Sequence, residues 1–440
     1  MNASILLDPP IQSEIIQSWN PARGKLVSVC MLVYNHAPYL RDALNSILNQ
    51  KTNFGFEILV HDDASQDASA EIIKEYAARY PEIIKPILQS ENQHSQGIYP
   101  SVHFNYPRAK LPFVAMCEGD DHWADENKLQ TQIDGLLENP EINLSFHSAY
   151  FVDDQNNGSS LSIYGDYGEH DCIIPFHRVL HRVRGWIPLA SCVIRQEAKQ
   201  RLLSFLKARK YLTVGDIYFQ FFGALPHGAL YYSTPMSFYR YRTTHSWTRK
   251  LHVDIRFKAV HETAMIRSYH DLNNLTNGLY KEDFTALTLQ RLLWLFNPET
   301  PPKDVPGVAQ LEEVYANCET KISDTLRDLR ESADTYIIFG CASGCTRILK
   351  NFDVDKIVAI VDRDNKRIGE SMAGKPIIGT DDLSAYGGHS IIVSTIAPDR
   401  AAILELARTA GIQPSRVHYL FDRALDYLAH HPISPEIFVR

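Results

Sequence analysis

The first sustained pattern in the chain is apolar. KLVSVCMLVYN, starting at Lys25, is a nearly continuous hydrophobic run, as a parallel strand covered on both faces requires. Pro38 then opens a segment in which Leu40, Leu44, Ile47 and Leu48 recur at helical spacing. FEILVHDD reads as a second strand. Asp67 or Ser69 stands where a cap is needed for the next helix, whose stripe is Ile72, Ile73, Tyr76 and Tyr80. IIKPIL and PFVAMCEGDD predict a third and a fourth strand, Lys128 to Leu137 a helix, and INLSFHSAYFVDD one more strand. Strands alternating with helices predict an open, mostly parallel α/β sheet.

Residues 1–24 form a polar extension ahead of this block, which continues to about residue 250. A Gly/Ser/Asn-rich loop covers residues 155–170, followed by the basic stretch FHRVLHRVRGW, the strand-like IPLASCVIR, the segment YLTVGDIYFQFF and the strand ALYYSTPMSFYRYR. Residues 251–334 carry long helical patterns, a helical connector, and from Tyr336 a second α/β pattern runs through residues 335–440. A length of 440 residues fits two or three domains. Hydrophobic residues at 45% and charged residues at 22% exclude a disordered or collagen-like chain. A net charge of −8 argues against a dedicated nucleic-acid binder. No apolar run reaches the roughly 20 residues that span a bilayer, and MNASILLDPPIQSE lacks the basic start and apolar core of a secretory signal. Seven cysteines without a CxxC pair read as buried free thiols of a reducing compartment, not as disulfides or a zinc site. The expected location is cytoplasmic, with the inner face of the membrane open to peripheral contact.

In an open α/β sheet, ligands bind beyond the carboxyl ends of the strands. Strand one ends in Tyr34-Asn35, strand two in Asp62-Asp63, strand four in Glu118-Gly119-Asp120-Asp121. Acidic clusters converging on one edge repel each other unless a cation or donor group is bound there, and Mg²⁺ or Mn²⁺ completes such a carboxylate shell with substrate phosphates. The plainer reading of Asp62 and Asp63 is helix capping.

VSVCMLVYN, ILVHDDASQD and EGDDHW followed by KLQTQI, in this order and spacing, resemble the nucleotide-binding half of family 2 glycosyltransferases with the GT-A fold, over roughly residues 25–250. The resemblance implies a nucleotide-sugar site in which Tyr34 stacks near the base and Asp63 contacts it, with Asn35 and Asp62 also among the nucleotide-sugar-binding residues. Glu118 and Asp120 would then hold the ribose, and Asp120 and Asp121 the metal. Glu118 stands where many relatives have Asp. Inverting members carry a further carboxylate about a hundred residues on, a position that Asp216 matches in VGDIYF. Its apolar neighbours would raise its pKa and suit a general base; the plainer reading is a helix N-cap. In relatives a His after a YR strand approaches metal and diphosphate, which points to His245. Arg240, Arg242, Arg249 and Lys250 stand ready to neutralise phosphate charge. The stretch His177 to Arg184 is a solvated helix face, or a contact for an anionic acceptor or membrane surface.

The last unit resembles small Rossmann-like domains found beside sugar-modifying enzymes, through FGCASGCTR, IVDRDN and GKPIIGTDDL. Its register against GxGxxG is Gly340, Ala342, Cys345, so two glycines are replaced, and Gly344 is left to provide close approach. The expected architecture is therefore a GT-A α/β domain, a helical connector and a small Rossmann-like domain. The expected function is inverting, metal-dependent transfer of a sugar from a nucleotide-sugar donor to a hydroxyl of a glycan, lipid-linked or protein acceptor. Homo-oligomer formation stays open. Two rivals remain at this stage: a weakly active scaffold, and an NAD(P)-linked protein working through residues 335–425.

Overall fold

The computed structural model describes residues 8–153, 162–183, 185–213, 215–241, 247–296, 301–341, 343–362, 367–397 and 399–438. The chain divides into two compact units, Met1–Lys250 and Leu251–Arg440.

The first unit runs α1 (Gln12–Ser18), β1 (Lys25–Val33), α2 (Ala37–Leu48), β2 (Gly55–Asp62), α3 (Ser69–Arg79), β3 (Ile84–Leu88), α4 (Tyr106–Arg108), β4 (Phe113–Met116), β5 (His122–Trp123), α5 (Lys128–Glu138) and β6 (Leu144–His147). It continues with β7 (Ala149–Asp153), β8 (Ser162–Tyr164), β9 (Cys172–Ile174), α6 (Phe176–Leu180), β10 (Val193–Arg195), α7 (Gln196–Lys207), α8 (Asp216–Ala224), β11 (Ala229–Tyr232) and β12 (Ser237–Tyr241). Eight strands make one sheet in the order β3-β2-β1-β4-β10-β6-β11-β9, and a smaller sheet runs β5-β12-β7-β8. β1 lies parallel to β2 and β4, which aligns the carboxyl ends of these three strands on one edge. This is a mixed α/β, GT-A-like sheet. Its core explains the long apolar run of β1: Val27, Val29, Met31 and Val33 are buried with Leu40, Leu44 and Ile47 of α2. Ile15 of α1 joins the same core, so part of the polar extension is packed.

Three strand readings change. ALYYSTPMSFYRYR divides into β11 in the large sheet and β12 in the small one. INLSFHSAYFVDD is broken at Ser148, β6 going to the large sheet and β7 to the small one. The Ser148 hydroxyl donates to the carbonyl of Ser233 at 2.8 Å, holding the point where the sheets diverge. IPLASCVIR is a strand only over β10, antiparallel to β4 and β6; Leu189–Ser191 is a tight turn, because the Ala190 carbonyl faces inward to accept the Trp123 indole N–H at 3.0 Å. Asp67 does more than cap one helix. Its carboxylate accepts the backbone N–H of Ser69 at 2.9 Å and of Ala37 at 2.9 Å, tying the starts of α3 and α2 together. Five cysteines are buried thiols as expected, whereas Cys172 is exposed on edge strand β9 and Cys341 is half-buried.

The second unit is helical first: α9 (Trp247–Val253, entering from the first unit), α10 (Ile255–Leu275), α11 (Lys281–Leu295) and α12 (Val308–Glu331). Then come β13 (Tyr336–Phe339), α13 (Ser343–Asn351), β14 (Ile357–Val361), β15 (Ser371–Met372), β16 (Lys375–Ile378), β17 (Ser390–Val393), α14 (Arg400–Thr409), β18 (Val417–Tyr419) and α15 (Asp422–His430). The sheet order is β15-β16-β14-β13-β17-β18, parallel except for β15. Leu292, Leu311, Ile322 and Leu326 of the helices share one core with Tyr336, Ile338, Ile360 and Ile392 of the sheet. The helices of residues 251–334 thus cover one face of the sheet that follows. Gly344 supplies close approach: a Cβ there would lie 1.9 Å from the carbonyl oxygen of Ser394. Among the described residues, no helix is long and apolar enough to cross a membrane.

Candidate active site

The rim of the site is built by two loops that hold each other. Asn35 follows Tyr34 in the left-handed conformation at φ 58°, which Asn tolerates better than most residues. Its backbone N–H donates to Ser65 Oγ at 2.9 Å, and its Oδ1 accepts the N–H of Gln66 at 2.7 Å. Asp62, buried at the end of β2, accepts the N–H of Ser65 at 3.1 Å and the Ser65 hydroxyl. Asp63 accepts the N–H groups of Gln93 at 2.8 Å and His94 at 3.0 Å, one on each oxygen. Both carboxylates therefore shape loops. Tyr34 stands 41% exposed above them, its ring free to stack.

The acidic turn after β4 is tied to β1 from below. The N–H of Gly119 donates to the Leu32 carbonyl at 2.9 Å, and that of Cys117 to Cys30 at 3.2 Å. Asp121 is buried and accepts the backbone N–H of Arg240 on β12 at 2.9 Å. Arg240 Nε donates to the backbone carbonyl of Asp120 at 3.0 Å, while its guanidinium lies 4.2 Å from the centre of the Tyr39 ring. Asp120 is half-buried, with its Oδ2 3.8 Å from His36 Nε2.

Electrostatics brings Asp216 into this group. Burial pushes Glu118 well above the usual carboxylate range, and the charges that push it further are, in order of effect, Asp216, Asp120 and Asp121. Asp121 is raised well above its ordinary value by burial and then by Asp120, against the lowering hydrogen bond from Arg240. Asp216 is raised by the protein that encloses it, with its own backbone N–H pulling the other way. Its side chain nevertheless keeps solvent access, as a carboxylate in a concave wall does. It is the first residue of α8, and the N-cap is Gly215 without a side-chain hydrogen bond. α8 is anchored by Ile217, Tyr218, Phe219, Phe221 and Phe222, all buried, which fixes its first turn. Tyr106, fully enclosed, and Tyr239 on β12 both lie within electrostatic reach of Glu118 and Asp216.

The structure thus gathers Glu118, Asp120, Asp121 and Asp216, and sets Tyr34, Asn35, Asp62 and Asp63 along the adjoining strand ends. His245 and Arg242 lie outside the described residues. His36, Tyr39, Tyr106 and Tyr239 were not legible as site residues, since their roles come from neighbours far away in sequence. Arg240, expected against phosphate, braces the acidic turn from β12. Among the described residues, no three His, Cys, Asp or Glu side chains are grouped as a ready-made metal cage. Crowded carboxylates that raise one another, with a side chain such as Asp120 still accessible, nevertheless suit a hard divalent ion that takes its remaining ligands from a bound diphosphate.

The comparisons with known proteins agree with this geometry. The model of a family described as "Glycosyl transferase family 2" matches residues 28–192. An uncharacterized protein of Mycobacterium tuberculosis (strain H37Rv) is 40% identical over 121 residues, 28% of this chain and 34% of that protein. The minor teichoic acid biosynthesis protein GgaA of Bacillus subtilis is 27% identical over 139 residues, 31% of this chain and 30% of that one. The crystal structure of S. aureus TarS 1-349 in complex with UDP-GlcNAc aligns with a TM-score of 0.46 and 15% identity, covering 68% of this chain and 80% of that one. The chain spans about a third of the length of the curated relatives it matches. Residues 28–192, which include the strand ends and acidic turn described above, match the glycosyltransferase family 2 model.

Proposed function

We propose that the first unit transfers a sugar from a nucleotide-diphosphate sugar to an acceptor hydroxyl, with inversion at the anomeric carbon. The observation that carries this reading is the meeting of Asp216 with Glu118 and Asp121, nearly a hundred residues away, in one enclosed acidic pocket. Asp216 is the base. Its raised pKa brings it closer to that of the proton it must accept, and its solvent access leaves room for an acceptor. The base of the nucleotide stacks on Tyr34, and Asp63 faces it from the loop that Gln93 and His94 close. Glu118 and Asp120 take the ribose. A divalent cation, Mg²⁺ or Mn²⁺, would be held by Asp120, with Asp121 and His245 beside it, and would offset charge developing on the leaving diphosphate. No covalent intermediate is required, since Asp216 activates the attacking oxygen directly. The relatives named for teichoic and teichuronic acid biosynthesis make a surface polysaccharide the first acceptor class to try.

The test is a screen of UDP-, dTDP- and GDP-sugars, read by release of the free nucleoside diphosphate, with and without chelator. Release that persists after exhaustive chelation counts against the metal. No release and no binding with any donor counts against the function.

A further inference from the structure

The histidine wedged between the first strand end and the acidic turn has no role in the reading above. His36 follows left-handed Asn35, and its backbone N–H is fixed by Ser69 Oγ at 3.0 Å. Its ring packs on the acidic turn so closely that a Cβ on Gly119 would lie 2.9 Å from Nδ1. Nδ1 is buried without a hydrogen-bond partner, whereas Nε2 lies 3.8 Å from Asp120 Oδ2. A buried N–H with no acceptor costs more than a buried lone pair against a Cα. When the ring is neutral its proton therefore sits on Nε2, aimed at the carboxylate.

We infer that His36 is a positioning residue: its Nε2–H holds one oxygen of Asp120 so that the other faces the donor's metal and ribose. Among the described residues no other side chain donates to that carboxylate; Arg240 Nε donates to the backbone carbonyl of Asp120. At 3.8 Å the pair is not yet hydrogen-bonded, and such contacts tighten when the complex forms. Asp120 is one of the charges that raise Glu118 and Asp121, so its carboxylate sits among like charges, with His36 the neighbouring side chain that can donate to it.

This inference rests on the proposed donor site, and its test separates the two. His36→Ala should weaken Mn²⁺ binding in the presence of nucleoside diphosphate by about 10- to 100-fold, the usual cost of removing a residue that orients a metal ligand. The donor KM should rise in step, while kcat at saturating metal and donor stays within a few-fold. His36→Gln, whose Nε2 falls near that of the imidazole, should restore most of the affinity. His36→Gln as weak as His36→Ala, or unchanged affinity in both, overturns the inference. Independently of any donor, ¹⁵N-imidazole resonances of the full chain should show the His36 proton on Nε2 and should shift in Asp120→Asn. A bare Nε2, or no shift, overturns it too. Loss of turnover with every donor in the wild type, alongside the expected ring tautomer, would leave His36 in place and refute the sugar-transfer reading instead.

Discussion

Replacing Asp216 by Asn separates catalysis from binding more sharply than any other change. Among the described residues the carboxylate's hydrogen bond is to its own backbone N–H, and it keeps solvent access at the first position of α8, so the amide leaves no buried hydrogen-bond partner unpaired. Folding should survive. The largest charge that raises Glu118 also disappears, so Asp216→Asn should melt no lower than wild type. Loss of a general base costs about 10²- to 10⁴-fold in rate, which at about 1.4 kcal/mol per decade is roughly 3–5 kcal/mol of transition-state stabilisation. Donor affinity, carried by the strand ends and the acidic turn, should change by no more than a few-fold. The assay is steady-state release of nucleoside diphosphate alongside a direct donor titration. The pH profile gives a second reading. A base whose pKa is raised is protonated, and idle, at acid pH. Wild-type turnover should therefore rise with pH through that raised ionisation, and Asp216→Asn should lack the rising limb. Near-normal turnover in Asp216→Asn, or joint loss of donor binding and fold, refutes the assignment.

Gly119→Ala would put a Cβ 2.9 Å from His36 Nδ1, 3.0 Å from Val33 Cγ2 and 3.2 Å from the Leu32 carbonyl. It should cost about 1–3 kcal/mol in thermal or denaturant unfolding and weaken donor binding together with it. Lys128 is buried against the Trp123 ring, and desolvation lowers its pKa to about 7. A lowered lysine pKa means that stability is lost as pH falls from the ordinary lysine range through that value. Lys128→Met should thus compare best with wild type below pH 7, and its relative advantage should shrink as pH rises, measured by melting temperature. A fragment of residues 335–440 would expose the face that Leu311, Ile322 and Leu326 cover. It should aggregate or be cut rapidly by protease, whereas residues 251–440 should resist.

Much of the first sheet could be read in advance because burial leaves a local mark. β1, covered on both faces, is apolar throughout, and α2 shows its stripe of Leu40, Leu44 and Ile47. What stayed hidden is what depends on partners. Nothing local distinguishes INLSFH from SAYFVDD, yet Ser148 divides them because the second half pairs with β12 and β8. The period of α12 shows an amphipathic helix but not that the following sheet covers it. At the site, the strand-end carboxylates were legible as a group, but their individual partners were not. Asp62 is taken up by Ser65, and Asp121 by a backbone N–H on β12. His36 left no signal, since one histidine after Tyr34-Asn35 carries no periodicity or spacing to read.

The lattice joining Asn35 to Ser65 and Gln66, and Asp63 to Gln93 and His94, has a thermodynamic consequence. These hydrogen bonds are made within the chain itself, so the loops' conformational entropy is lost during folding and not at the moment of binding. A nucleotide settling on Tyr34 should then immobilise little besides itself. The rim should show the same amide-exchange protection with and without nucleoside diphosphate, and binding heat capacity should reflect the stacked base alone. Cutting a single strut, as in Asn35→Ala, should convert that rigid shelf into one that each incoming ligand must order anew.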